Sequence, residues 1–291
     1  MAIITFLKLV RAPAGFTAVS NILAATIIAT AGQLTADVLL LCAASVCFYF
    51  AGMALNDCFD YKIDLAERAS RPIPQGLISL PYAWLIGYSL LSTGLLLAYL
   101  HSITTFYIGL TLSCCILLYN GVIKDGLPGS IFMASCRYVN WVFGASIVAL
   151  TMNSYFFALP ILFYIIGLTY LSKQEVQATN KNAIFFTAFM LLMAALSMVW
   201  LTAQVFVLSM TESIIAYSLI GAWFVFNACK LVTVFKSFTP DNIQKMITWL
   251  IIGVIPLDAL IVVISGHYIL GFLILALLPP CRLLSKKLAM T

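Results

Sequence analysis

Charge is what this 291-residue chain has least of. Asp, Glu, Lys and Arg make up 9% of it against 63% hydrophobic residues, whereas a soluble domain is roughly a quarter charged. No polar stretch is long enough to fold as a soluble domain of its own. Histidine is almost missing. His101 and His267 are the only two, too few for a His-held zinc site or a haem pocket. The eight cysteines include no CxxC pair, which removes the zinc-ribbon and dithiol-redox readings and leaves small buried hydrophobes as their expected role. Strict apolar/polar alternation is absent too, so a transmembrane β-barrel is excluded.

What fills the chain is a series of continuous apolar runs, with a mean hydropathy of +1.09. Ten are read, at 15–31, 37–55, 84–101, 104–121, 129–150, 154–172, 183–203, 213–235, 247–265 and 268–284. Each can cross a bilayer as a helix. The expectation is an all-α, polytopic transmembrane bundle forming one domain over residues 1–291. A second span follows the first directly, and no small-residue cleavage site stands out, so the first run reads as a span and not as a cleaved leader. With the N-terminus inside, fourteen of the fifteen Lys and Arg fall on one side of the membrane, and Arg137 lies within the fifth span. That is the positive-inside pattern. It places the loop after the second span at the cytoplasmic face, and it accounts for most of the net charge of +5 without a nucleic-acid partner.

Against this background, "ALNDCFDYKIDLAERASRPIP", Ala54 to Pro74, is crowded: four of the ten acidic residues lie between Asp57 and Glu67. If the second span continues as a helix, about 100° per residue puts Asn56, Asp57, Asp60, Asp64, Glu67, Arg68 and Arg71 on an arc of about 120°. Pro72 and Pro74 then end the helix. Carboxylates that close repel one another. A hard divalent cation such as Mg²⁺ removes the conflict and shares its remaining positions with phosphate oxygens, while neighbouring arginines grip phosphate in bidentate fashion. Acids, metal, phosphate and arginine make one chemical object, and diphosphate is the ligand it fits best.

The order NDxxDxxxD after the second span, followed by Arg and RP, resembles the first motif of the UbiA superfamily of intramembrane prenyltransferases through Asn56, Asp57, Asp60 and Asp64. Arg11, Asn21 and "YNGVIKDGLPGS", whose Lys124 resembles a phosphate-binding lysine of the family, extend the likeness. "MASCRYVNWVFG", with Cys136, Arg137 and Asn140, and "IPLDAL", with Asp258, are similar to the EboC-like branch. The resemblance implies a helical bundle of usually nine spans around a central cavity. It also implies Mg²⁺-dependent transfer of a prenyl group from a prenyl diphosphate to a lipophilic or aromatic acceptor in the bilayer. The family's second aspartate-rich motif is reduced here to "TYLSKQEVQATN", with Glu175 as its one acid.

The expected site therefore has Asp57, Asp60, Asp64 and Glu175 on the metal, and Asn56, Arg68, Arg71, Lys124, Arg137 and Lys173 on the diphosphate. Asn21 and Asn140 line the cavity, and Asp258 serves helix packing. Tyr119, Tyr138, Trp141, Tyr164 and Tyr170 are aromatics expected near the mouth. Two other readings stand beside this one. A protein that holds isoprenoid diphosphate without turning it over is suggested by the reduced second motif. A membrane transporter is suggested by intramembrane charge and a weak internal repeat between Asn21–Asp64 and Asn140–Glu175.

Overall fold

The computed structural model describes residues 3–288. Among them it has fifteen helices and no strand. They are Ile3–Leu9 (α1), Ala12–Ala29 (α2), Asp37–Phe59 (α3), Tyr61–Glu67 (α4), Leu80–His101 (α5), Ile103–Gly121 (α6), Gly126–Ala145 (α7), Met152–Phe156 (α8), Leu159–Ser172 (α9), Asn182–Gln204 (α10), Met210–Lys236 (α11), Pro240–Ile252 (α12), Val254–Ile264 (α13), Tyr268–Leu275 (α14) and Leu278–Lys287 (α15). A lipid-facing backbone must satisfy its own hydrogen bonds, which is why apolar runs of this length become helices. Their starts are marked locally. Ser102 caps α6 through the Thr105 N–H, Ser209 and Glu212 form a capping box on α11, and Thr239 precedes Pro240 at the start of α12.

Among the described residues nine segments are long and apolar enough to cross a bilayer, with α8–α9, α12–α13 and α14–α15 each counted as one. The ten runs read from the sequence include a further helix, α7. It has 20 residues, about 30 Å of helix, but carries Ser130, Arg137 and Asn140 and so falls outside the apolar set. It still runs the depth of the bundle. Lys124, just before it, meets Asp60 at one end, and Ser146, just after it, meets Thr105 at the other. At the Asp60 end, Cys281 of α15 donates to the Pro13 carbonyl of α2 at 3.3 Å, so the two ends of the described chain lie at one end of the bundle.

The second span does not continue unbroken to the prolines. α3 stops at Phe59, Asp60 takes a turn conformation, and α4 ends at Glu67. Arg68 and Arg71 therefore leave the helical stripe, and Arg71 reaches the aspartates by folding back in the loop. The cysteines also depart from expectation. Cys58 and Cys281 are buried, but Cys114 and Cys229 are exposed on the outer surface, where lipid is as apolar as a core; all eight are free thiols.

Small residues let the helices approach. The face of α5 that is buried runs Ala83, Gly87, Leu91, Gly94, Ala98. A Cβ at Gly94 would lie 2.8 Å from Phe48 of α3, and one at Gly87 would lie 2.6 Å from Leu55. In a bilayer, where hydrophobic burial gives helices little reason to associate, such close packing is a main source of cohesion. Deeper in the bundle, α2, α7 and α13 are tied by Asp258, which is fully buried. It accepts hydrogen bonds from Ser20 Oγ at 2.6 Å, Asn21 Nδ2 at 2.7 Å and Trp141 Nε1 at 2.9 Å.

Candidate active site

The aspartate-rich end of the bundle opens into a cavity of about 500 Å³. Its wall is drawn from α2, α3, α4, α6, α7, α9, α12, α13 and the loops between them. Asp57 is buried at the end of α3 and bridges two arginines, at 2.9 Å from Arg11 and 3.1 Å from Arg71. Arg71 also holds Asp64 Oδ2 at 2.5 Å. Asp60 is paired with Lys124. Each aspartate of the motif thus has a cation, and among the described residues no three acidic, cysteine or histidine side chains converge as a ready-made metal cluster. Each aspartate also has an oxygen without a protein partner among the described residues: Asp57 Oδ2, Asp60 Oδ1 and Asp64 Oδ1. Asp64 Oδ1 is buried without a hydrogen-bond partner, a costly state for a carboxylate. Hard carboxylate oxygens with one unsatisfied lone-pair set suit a divalent cation such as Mg²⁺.

The opposite wall carries Lys173 and Glu175. Lys173 donates to the Lys124 carbonyl at 2.9 Å, and Glu175 accepts from Gln244 Nε2 at 3.3 Å. Both line the same cavity as Asp60 and Asp64, so the reduced motif shares the site with the aspartates. Burial lowers the pKa of Lys124, with Asp60 raising it in part. Burial also lowers that of Lys173, where Asp125 opposes the effect. The cavity wall holds five acids (Asp60, Asp64, Glu67, Asp125, Glu175) and six bases (Arg11, Arg68, Arg71, Lys124, Arg137, Lys173). Asp57 makes the sixth acid from just behind Arg11 and Arg71. The charges balance, so an added diphosphate needs a cation of its own.

Other expected residues fall elsewhere. Asn56 lines the cavity but spends its amide on Asn120 Oδ1 at 3.0 Å. Asn140 lines a second, smaller chamber of about 60 Å³, where it accepts from Ser45 Oγ at 2.7 Å. Asn21 lines neither cavity: its amide lies between Asp258 and Arg137 and joins helices. Arg137 is set apart from the ion-paired ring. Its contacts are Thr17 Oγ1 at 2.9 Å, Asn21 Oδ1 at 3.4 Å and the ring of Tyr49 at 5.1 Å. From Asp57 to Tyr49 is eight residues of α3, about 12 Å of rise. Of the expected aromatics only Tyr119 lines the cavity. Trp141 is tied to Asp258, Tyr164 donates to the Leu250 carbonyl and Tyr138 to the Tyr155 carbonyl.

The sequence reading missed Tyr49, Asn120, Asp125 and Thr169. Thr169 is buried, lines the cavity and has an Oγ1 without a partner; its signal was a threonine in an apolar helix one turn before Lys173. The small chamber is apolar, with Phe48, Leu112 and Ile116 in its wall, and shares Tyr49, Met53, Tyr119, Met133 and Arg137 with the large one. A charged mouth thus leads into an apolar recess.

Comparison with known proteins follows the same lines. The profile of the UbiA prenyltransferase family matches residues 18–250. Digeranylgeranylglyceryl phosphate synthase of Metallosphaera sedula is 31% identical over 94 residues, 32% of this chain and 33% of that protein. The synthase of Methanosarcina barkeri is 35% identical over 102 residues, 34% of this chain and 35% of that protein. The matched segments span about a third of these relatives' length. A UbiA homologue from Archaeoglobus fulgidus, solved bound to GPP and Mg²⁺, superposes with a TM-score of 0.69 at 14% identity, covering 94% of this chain and 99% of that one. The apo UbiA homologue from Aeropyrum pernix K1 gives 0.65 at 15% identity over 89% and 98%.

Proposed function

The chain belongs to the UbiA prenyltransferase family and is an integral, multi-pass membrane protein; from that membership we propose that it transfers a prenyl group from a prenyl diphosphate to a lipophilic acceptor, at a site facing the cytoplasm. The observation that carries the reading is the balanced ring of Asp57, Asp60 and Asp64 with Arg11, Arg71 and Lys124, one buried aspartate oxygen unsatisfied, at the mouth of an apolar recess. The GPP and Mg²⁺ in the Archaeoglobus homologue support the same ligands here. Relatives named for digeranylgeranylglyceryl phosphate synthesis support an isoprenoid substrate, and the segment around Arg137 and Asn140 supports the EboC-like branch.

Asp57, Asp60, Asp64 and Glu175 are the residues that would hold Mg²⁺, which when bound supplies positive charge to the leaving diphosphate. Arg68 and Lys173 carry no carboxylate partner in the described structure and are free to take phosphate oxygens. Lys124 and Arg71 join them by exchanging an aspartate for the ligand, and the Thr169 hydroxyl adds a neutral donor. The prenyl tail lies along Phe48, Leu112 and Ile116. Tyr49 and Tyr119, at the junction of the two cavities, turn π-electrons toward the carbon that becomes cationic. In the transfer, the C1–O bond of the prenyl diphosphate breaks with its electron pair on the diphosphate. A nucleophilic oxygen or carbon of the acceptor supplies the pair for the new bond to C1, and its proton passes to the diphosphate or to water.

The test is incubation of the purified protein with prenyl diphosphates of several lengths, with Mg²⁺ or with EDTA. Metal-dependent diphosphate release is expected. Binding without release would select a protein that only holds the ligand, a reading favoured by the single acid, Glu175, left in the second motif, and the absence of both would return the transporter.

A further inference from the structure

We infer that Phe48 sets the length of the prenyl donor: the recess it closes takes a chain of one or two isoprene units and turns away longer ones. The inference rests on the prenyl-transfer reading above and adds the size class of the donor.

Depth comes first. The recess runs down from the cavity junction between α2, α3, α6 and α7. Its wall extends from Met53 to Ser45 on α3, from Asn120 to Leu112 on α6, and from Met133 to Asn140 on α7. Seven or eight residues of helix give a depth of about 10–12 Å on all three. An extended isoprene unit advances about 5 Å, because its four carbon–carbon bonds of about 1.5 Å run in zigzag. With C1 at the junction, below a diphosphate held among the ion pairs, two units reach the floor and a third finds no room.

The floor is built from aromatic rings. Ser45, Phe48 and Leu112 are at most 2% exposed, so the recess is closed at its deep end. α3 begins at the far end of the bundle from Asp57, and helix side chains tilt toward the N-terminus; Phe48 therefore points downward. Its ring lies against Gly109 of α6, one turn below Leu112. It meets Phe143 of α7 edge to face, with centroids 5.7 Å apart, and Phe143 is itself fully buried. The Phe48 ring has a fitted seat: a Cβ at Gly94 would lie 2.8 Å from it, and one at Gly109 would lie 3.1 Å from it. The polar groups at this depth are used up. Ser45 Oγ donates to Asn140 Oδ1 at 2.7 Å, and Asn140 Nδ2 donates to the Ala18 carbonyl at 3.4 Å. An apolar tail therefore meets no unpaired donor or acceptor there.

A wall this well packed does not stretch to admit added carbon. A tail of three or four units has to fold back toward the junction, into space the acceptor needs. Removing the Phe48 ring frees its seat between Gly94 and Gly109, which continues the recess toward the seam of α5 and α6.

The experiment uses the full-length protein in lipid nanodiscs with Mg²⁺. It reads the affinity of four non-hydrolysable thiolodiphosphates: dimethylallyl, geranyl, farnesyl and geranylgeranyl. The wild type is expected to bind the two short analogues at least about tenfold more tightly than the two long ones, the discrimination an apolar pocket exerts on size. Phe48→Ala should bring the farnesyl analogue to within about twofold of the geranyl one. Gly52→Val is the converse. Gly52 lines the recess nearer the junction, and a Cβ there meets Ile116 at an ordinary 3.6 Å, so the valine methyls fill the upper recess. That variant should lose geranyl affinity by about tenfold or more relative to dimethylallyl. These ratios do not move with a general loss of stability. Should the alanine variant fail to fold, Phe48→Leu takes its place, with a partial shift expected. A wild type that binds all four alike, or prefers the long ones, overturns the inference. So does a folded Phe48 variant that keeps the wild-type length profile. Failure of the wild type to bind any of the four would instead remove the prenyl-transfer reading, and this inference with it.

Discussion

At the scale of single residues the mouth is a set of substitutable ion pairs. Asp57 and Asp64 belong to one motif and share Arg71, but they are paired and buried differently. Asp57 neutralises two arginines, so Asp57→Asn leaves the largely buried Arg11 without a carboxylate and Arg71 with Asp64 alone, and should cost about 3–5 kcal/mol of stability, read as a fall in thermal unfolding temperature in detergent. Asp64 keeps one oxygen free. Asp64→Asn should have the smaller effect on unfolding but should lower turnover about a hundredfold to a thousandfold and raise the Mg²⁺ needed for half-maximal rate. Lys124 sets a pH limit. Burial lowers its pKa, so it loses its proton below the usual lysine range near 10.4. The unfolded chain binds the extra proton between the lowered value and the ordinary one. In that window the contribution of Lys124 to stability rises with pH while its grip on phosphate is lost. Affinity for a prenyl thiolodiphosphate, measured from neutral to alkaline pH, should therefore fall earlier than for an ordinary lysine, and Lys124→Arg should remove that alkaline limb. An unchanged profile in the variant would take Lys124 out of the phosphate site.

At the scale of elements, the bundle is held by backbone proximity on one side and by a buried polar knot on the other. Gly94 lets α5 lie against Phe48 of α3. Gly94→Val forces the two helices apart and should destabilise by about 1–3 kcal/mol, seen as a lowered unfolding midpoint. Asp258→Ala removes the acceptor shared by Ser20, Asn21 and Trp141, and donors stranded away from water cost about 1–3 kcal/mol each. The break at Asp60 belongs to this scale too. The helical stripe read from the sequence brings Asn56, Asp57, Asp60 and Asp64 to one side correctly, because their spacing of three and four residues survives a kink. Arg71 was placed on the same stripe, but reaches Asp57 and Asp64 only because the chain turns back after Glu67, a tertiary event that periodicity does not encode.

At the scale of the whole molecule, basic residues and active-site mouth share one end of the bundle. Lys62, Lys124, Lys173 and Lys245 should all face the cytoplasm, as should the chain after α15, while His101 and Gly266 face outward. Single cysteines at these positions, in a background without the native eight, check this with an impermeant thiol reagent. Cysteines at His101 and Gly266 should react from outside, and the others should be protected until the membrane is opened. Reaction of the C-terminal position from outside would mean that α7 does not cross, against the run of that helix from Lys124 to Ser146.

Composition alone determined that this protein lives in a bilayer, because a chain with so little charge cannot be solvated otherwise. Local spacing determined the helices and the aspartate face, since both depend on residues a few positions apart. The tertiary structure decided which cation each aspartate meets, that Asn21 serves as a link between Arg137 and Asp258 and not as cavity wall, and that Tyr49 and Thr169 face the site. Those pairings join residues tens to hundreds of positions apart, such as Asn21 and Asp258 at a separation of 237. A lone polar residue in an apolar run has no periodic signature, and its partner exists only once the helices have packed.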